Sequence, residues 1–185
     1  RAEFSEDGEV SFYRAEFSGD GEVSFDSAQF SGDGEVSFYR AEFSEHSVVF
    51  SSVNVTTPLS FASAKFDTDS TVLFSHADFH STVKFGSFSN KAAVPYVQHS
   101  LDFSNTTFHR APEFQGNTDS NTQNKTLDSG EKRFHLVFAG DIDFTGAVFK
   151  NGVDFSATRF PSDADFTNAV LESADFSGVD ITGTD

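Results

Sequence analysis

The sequence predicts an all-β solenoid, and three observations carry that expectation. Large apolar residues recur on a short fixed period. A small apolar residue stands two positions before most of them. The period suits neither an amphipathic helix nor a long strand. In the first fifty residues Phe4, Phe12, Phe17, Phe25, Phe30, Phe38, Phe43 and Phe50 are spaced 8, 5, 8, 5, 8, 5 and 7 apart. The unit is 13 residues, seen in AEFSGDGEVSFDS (15–27) and AQFSGDGEVSFYR (28–40). Near the other end Phe144, Phe149, Phe155, Phe160, Phe166, Leu171, Phe176 and Ile181 are spaced 5, 6, 5, 6, 5, 5 and 5 apart. The long unit is two five-residue modules plus a three-residue insert, usually Asp-Gly-Glu. The short unit drops the insert.

The paired small residues fix which way the modules face. Ala2 precedes Phe4, Val10 precedes Phe12, Ala15 precedes Phe17 and Val23 precedes Phe25. The same pairing joins Ala64 to Phe66, Val72 to Phe74, Ala77 to Phe79, Ile142 to Phe144, Val153 to Phe155 and Ala174 to Phe176. Residues two apart on an extended segment point to the same side. The residue between them points outward and is usually polar, as at Glu3, Glu16, Asp78, Asp143, Asp165 and Asp175. Short extended faces joined by tight corners satisfy this pattern, and Ser-Gly pairs such as Ser18-Gly19, Ser31-Gly32 and Ser177-Gly178 suit the corners.

Against that pattern, the modules AEFSE, AEFSG, AQFSG, AKFDT, ADFHS, ADFTN and ADFSG resemble the pentapeptide-repeat family, whose motif is A(D/N)(L/F)xx. The resemblance covers residues 1–85 and 136–185. It implies a right-handed quadrilateral β-helix with four modules per coil. Four faces per coil place Phe4, Phe12, Phe17 and Phe25 in the first coil and Phe30, Phe38, Phe43 and Phe50 in the second. Val55, Phe61, Phe66 and Phe74 form the third. Phe79, Phe144, Phe149, Phe155, Phe160, Phe166 and Phe176 complete the expected core. Six to seven coils at the spacing of neighbouring strands give a rod on the order of 30 Å long.

Residues 1–85 read as N-terminal coils with Asp-Gly-Glu corner inserts, and 136–185 as C-terminal coils. Residues 86–135 read as an irregular segment interrupting the solenoid. GSFSNKAAVPYVQHS (86–100) holds a proline and no five-residue period, whereas Phe103, Phe108 and Phe114 resume it. The run 115–133 has one aliphatic residue, Leu127, and reads as a solvated loop. A contact site for a partner, if one exists in this chain, is expected within 86–135.

Composition narrows the function classes. The chain has 185 residues, 29 Asp+Glu against 12 Lys+Arg and a net charge of −17. That balance argues against direct binding of nucleic acid or an anionic membrane. No apolar run is long enough to span a bilayer, so membrane insertion is not expected. Cys is absent, which excludes disulfides, thiolate catalysis and Cys-based metal sites. Met is also absent, which suits a processed product or a piece of a longer chain. Charge is uneven: residues 1–50 carry a net −9, residues 51–140 a net −1 and residues 141–185 a net −7.

Candidate chemistry is sparse. The inserts place Asp7, Glu9, Asp20, Glu22, Asp33 and Glu35 at corners, and hard oxygen ligands of this kind suit Ca²⁺. The plainer reading is a set of solvated turns in which Gly takes a positive φ. No cofactor other than Ca²⁺ is suggested. His76 and His80 bracket HADFH, but on a repeat face they fall at or near corners, and no metal site is expected there. His46, His99, His109 and His135 show no partner spacing. No nucleophile constellation or phosphate-binding loop occurs, and a Phe-filled rod offers no concave site, so no catalytic residues are expected. Asn54, Asn105 and Asn124 sit in glycosylation sequons, which matter only in a secreted protein. Both cell-surface and cytoplasmic locations stay open.

The function expected from these observations is that of a non-enzymatic structural or interaction solenoid, part of a larger protein or of an end-to-end assembly. Its partners are a protein or further copies meeting through the solenoid ends. The alternative is an acidic DNA mimic, because some members of the resembled family imitate B-DNA and inhibit or protect DNA gyrase.

Overall fold

The computed structural model describes residues 2–5, 8–19, 21–44, 47–66, 70–85, 96–97 (backbone), 100–114, 136–138, 140–161 and 163–181. Within them every strand is two or three residues long and every pairing is parallel. Strands so short cannot bury a face alone. They gain one by stacking on the equivalent strand of the next coil, as a solenoid does.

Four faces recur in chain order. Face 1 stacks seven strands: Glu3–Phe4, Gln29–Phe30, Asn54–Val55, Asp78–Phe79, Thr107–Phe108, Val148–Phe149 and Val170–Leu171. Face 2 begins with Val10–Ser11, Val36–Ser37, Leu59–Ser60 and Val83–Lys84, and Lys84 then bridges to Glu113. Face 3 begins with Glu16–Phe17, Glu42–Phe43 and Lys65–Phe66, and Tyr96–Val97, Leu136–Phe138 and Thr158–Arg159 follow in the third place. Face 4 stacks Glu22–Ser24, Ser47–Val49, Thr71–Leu73, Ser100–Asp102 and Ile142–Asp143, with Asp143 bridging to Asp165. The architecture is therefore a quadrilateral parallel β-helix, all-β, with no helix among the described residues.

The register puts Phe on Phe. Phe4 pairs with Phe30, and their rings stack with centroids 4.9 Å apart and planes 5° apart. Phe12 stacks on Phe38 at 4.6 Å, Phe17 on Phe43 at 4.7 Å and Phe25 on Phe50 at 4.8 Å. Across the rod the columns meet edge-on, as between Phe50 and Phe61 at 82° and Phe74 and Phe85 at 77°. Parallel rings within a column and perpendicular rings between columns are the arrangements that the aromatic quadrupole favours. Phe30, Phe38, Phe43, Phe50, Phe74, Phe79, Phe144, Phe149, Phe155 and Phe160 are buried. Phe4, Phe12, Phe17, Phe25, Phe66 and Phe166 are partly buried against them. Phe176 departs from the expected core: it is 41% exposed, because no described strand stacks beyond its own.

Coil length varies. Face-1 partners Phe4, Phe30, Val55, Phe79, Phe108, Phe149 and Leu171 are 26, 25, 24, 29, 41 and 22 residues apart. The 41-residue coil leaves face 2 at Phe114 and returns on face 3 at Leu136. The segment set apart as irregular thus contains regular coil as well. Ser100–Asp102 pairs with Thr71–Leu73, Thr107–Phe108 pairs with Asp78–Phe79, and Phe103, Phe108 and Phe114 are all in the core. Residues 86–95, 98–99 and 115–135 lie outside the described residues.

The corners correct one expectation about glycine. At the tight corners a Phe carbonyl accepts from the N–H three residues on, as in Ala15 to Phe12 at 3.0 Å and Ala41 to Phe38 at 3.0 Å. The residue before the donor takes the left-handed conformation, as type II geometry demands. That residue is Arg14, Ser27, Arg40, Ser63, His76, Asn105 or Asn168, and glycine holds it at Gly146 and Gly178. Gly8, Gly21 and Gly34 of the inserts do not have positive φ. Gly34 is required for a different reason: a Cβ there would collide with the backbone carbonyl of Gly8 in the coil beneath. Close stacking of the insert loops, rather than backbone handedness, selects glycine at that position.

Candidate functional site

With the interior filled by Phe, the chemistry lies on the outward rungs. In the C-terminal coils the rungs of faces 2 and 4 are aspartates. Asp102 pairs with Asp143, Asp143 bridges to Asp165, and on face 2 Asp154 pairs with Asp175. Each carboxylate accepts from the N–H two residues on: Ser104 to Asp102 at 2.7 Å, Thr145 to Asp143 at 2.6 Å, Ser156 to Asp154 at 2.8 Å, Thr167 to Asp165 at 2.7 Å and Ser177 to Asp175 at 2.8 Å. The outward Asp is thus a corner cap, which satisfies a backbone donor that the turn leaves open. In the N-terminal coils the rungs of faces 2 and 4 use Ser for the same bond, as from Tyr13 to Ser11 at 3.4 Å and Asp26 to Ser24 at 3.3 Å.

These caps give the fold a pH dependence with a definite sign. The Thr167 hydroxyl, then its N–H, hold the Asp165 carboxyl below its ordinary value of 3.8. The Ser177 N–H, then its hydroxyl, do the same for Asp175. A carboxyl lowered in the folded state contributes stability that is present above its unfolded value and is lost as pH falls through the folded value. Urea midpoints measured downward from pH 6 are expected to begin falling near pH 4. The Asp165→Asn, Asp175→Asn double variant keeps a capping oxygen but no charge, so its fall should be shallower. An unchanged slope would mean that these two carboxyls do not drive it.

A different cluster forms on face 1. Asp78 is the outward residue of Asp78–Phe79, and His80 follows that strand. One coil above, His109 follows Thr107–Phe108 in the equivalent place. The two imidazoles stack with centroids 4.1 Å apart and planes at 21°. Both turn Nε2 to one carboxylate: His80 meets Asp78 Oδ2 at 3.0 Å, and His109 meets Asp78 Oδ1 at 2.8 Å. A carboxylate only accepts, so each Nε2 carries a proton in this arrangement. Lys150 occupies the next rung, with Nζ 3.5 Å from His109 Nδ1. The backbone below is fixed, since His80 N–H donates to the Val55 carbonyl and His109 N–H to the Phe79 carbonyl, each at 2.8 Å. Beside the cluster, Thr82, Arg110, Pro112, Glu113, Asn151 and Asp154 line a cleft of about 430 Å³.

This placement corrects the sequence reading of the histidines. His76 sits at a corner with φ 59°, as expected, and takes no part in the cluster. His80 finds its partner in His109, which had shown no partner spacing. The signal was hidden because the two lie 29 residues apart, in coils of unequal length. The acidic inserts behave differently. Glu9, Glu22, Asp33 and Glu35 are exposed, and among the described residues only Asp78, His80 and His109 gather ligand atoms closely enough to share an ion. Asp7, Asp20, His46, His99, His135 and Asn124 lie outside the described residues. Asn54 points outward from face 1, and Asn105 is a corner residue with φ 55°.

Short parallel strands on four faces, a Phe-stacked interior and Asp-capped corners make a parallel β-solenoid, consistent with a pentapeptide-repeat β-helix. Residues 135–180 match the family model described as pentapeptide repeats (9 copies). On faces 1 and 4 the strands of 1–85 lie in the same sheets as strands of those matched residues. No curated protein matches the chain. A solenoid of this class supports a structural or interaction role in general, and such solenoids are generally non-enzymatic. No helix among the described residues is long and apolar enough to cross a membrane.

Proposed function

We propose that the chain is a rigid, non-enzymatic scaffold that meets a protein partner or further copies of itself through the faces at the extremities of its stack. The observation that carries this reading is the burial profile along the rod. Rings in the middle coils are covered above and below, whereas Phe4, Phe12, Phe17 and Phe25 at one extremity are only partly buried. At the other, Phe176 is 41% and Ile181 69% exposed. Flat layers of rings with unpaired strand edges are cohesive surfaces that need a cover: a further coil, a partner or another copy. Sedimentation velocity over a concentration series, at low salt with and without Ca²⁺, tests the self-association arm. Growth into rods supports it, and growth that requires Ca²⁺ points to the insert carboxylates. A monomer at every concentration removes it and leaves a protein partner or a further coil as the cover.

The acid ladders favour a second reading, the DNA mimic. Faces 2 and 4 are opposite sides of the rod, and both carry carboxylates in the C-terminal coils: Asp154 and Asp175 on one, Asp102, Asp143 and Asp165 on the other. Face 1 between them offers Val148 and Val170 instead. A gyrase supercoiling assay decides: inhibition at micromolar chain supports the mimic, and its absence ends it.

A further inference from the structure

We propose that Asp78, His80 and His109 form a binding site for a divalent transition-metal ion of the zinc type, which ties two successive coils together from outside. One ligand atom from each residue lies within 4.8 Å of the others. Imidazole nitrogens with one carboxylate oxygen are a donor set that suits zinc, with three protein ligands and a fourth position left to water. The set is also poorly suited to Ca²⁺, which takes six to eight oxygens.

The geometry is prepared by the coil register. Asp78 pairs with Thr107, which places His80 and His109 on adjacent rungs of the same column. Their rings are already near-parallel, and both Nε2 atoms already face the one carboxylate. Ligand atoms around a tetrahedral ion lie roughly 3.4 Å apart at the usual zinc–ligand distances, so the cluster closes on an ion by movements of about 1 Å. The three side chains are 28–42% exposed, which leaves them free to make that movement while the backbone ladder stays fixed. In binding, the ion replaces the proton on each Nε2. Neutral imidazole then carries its proton on Nδ1, so His109 no longer accepts from the Lys150 ammonium. Lys150 is exposed and turns to solvent. The present hydrogen-bonded cluster and the metal-bound one are therefore alternatives, and Lys150 favours the first.

The test uses the full chain, stripped with EDTA and dialysed against Zn²⁺, with bound metal counted by mass spectrometry and affinity read by titration calorimetry. The expected result is one equivalent, weakened at least about tenfold in His80→Ala and in His109→Ala. His76→Asn, which preserves the left-handed corner, should bind as the parent does. Lys150→Ala should bind more tightly, an outcome that general adsorption to acidic surface would not produce. Zn²⁺ should also raise the thermal midpoint of the parent chain but not of the His80→Ala, His109→Ala double variant. Because the substituted side chains are outward, both variants are expected to keep the parent circular dichroism spectrum. Absence of a stoichiometric equivalent, or an equivalent that survives in the double variant, overturns the proposal.

Discussion

Phe74→Ala is expected to lower the unfolding free energy by about 3–5 kcal/mol, the range for truncating a fully buried aromatic residue. Phe74 is 1% exposed. Its ring stacks on Phe50 at 5.3 Å and on Phe103 at 5.1 Å, and meets Phe61 and Phe85 edge-on at 5.6 and 5.1 Å. Alanine would leave a ring-sized gap between two rings whose spacing is set by the strand ladder. The ladder cannot contract, because coil rise is fixed by backbone hydrogen bonds such as Phe74 N–H to Asp102 carbonyl at 2.7 Å. The cavity term therefore adds to the lost transfer term almost undiminished. The control is Phe176→Ala, at 41% exposure, which should lose far less. Phe43 and Phe66 make a second pair. They stack on each other at 4.8 Å, but Phe43 is buried and Phe66 only partly so, and Phe43→Ala should be the costlier change. Denaturant midpoints followed by circular dichroism give all four values. Equal losses for Phe74 and Phe176 would show that the burial profile is wrong.

The columns were legible in the sequence because Phe is both the largest inward residue and the most regular. The assignment of Phe4 over Phe30, Phe17 over Phe43 and Phe25 over Phe50 needs only the count of modules per coil, and the ring stacking follows it. Val55 in the Phe30 column shows that an aliphatic residue keeps its place when the spacing holds. The outward chemistry was less legible. Asp143 and Asp165 were readable as outward, but their bonds to the N–H two residues on depend on corner geometry that no spacing encodes. The insert glycines were misjudged because two requirements select glycine, and the sequence does not distinguish a positive φ from a close neighbour one coil away. The Asp78, His80 and His109 cluster was invisible for a related reason. A residue's neighbour above lies 24, 29 or 41 residues on, depending on what each corner holds, so no fixed offset reveals it.

Val72→Asp is expected to disrupt the middle of the rod, whereas Thr71→Asp, one residue away, should be almost silent. Val72 is fully buried in the strand Thr71–Leu73, between Val48 on one side and Leu101 on the other. A carboxylate there would face Phe rings with no partner, a cost of several kcal/mol that the group escapes only by taking up a proton. Thr71 lies on the opposite side of the same strand, in a rung with Ser47 and Ser100, where a charge remains in water and changes of about 0.5 kcal/mol are normal. The contrast tests the register itself, since a slip of one residue exchanges the two sides of the strand. It also tests how far damage spreads. Each coil is stabilised only through its neighbours, so loss of the third coil should expose amides in the coils paired with it before those further along. Hydrogen exchange read by mass spectrometry should show Val48–Phe50 and Leu101–Phe103 losing protection in Val72→Asp while Val153–Phe155 retains it. Uniform loss along the chain would mean that the rod unfolds as a single unit, and the rigidity proposed for the scaffold would then rest on long-range cooperativity rather than on contacts between adjacent coils.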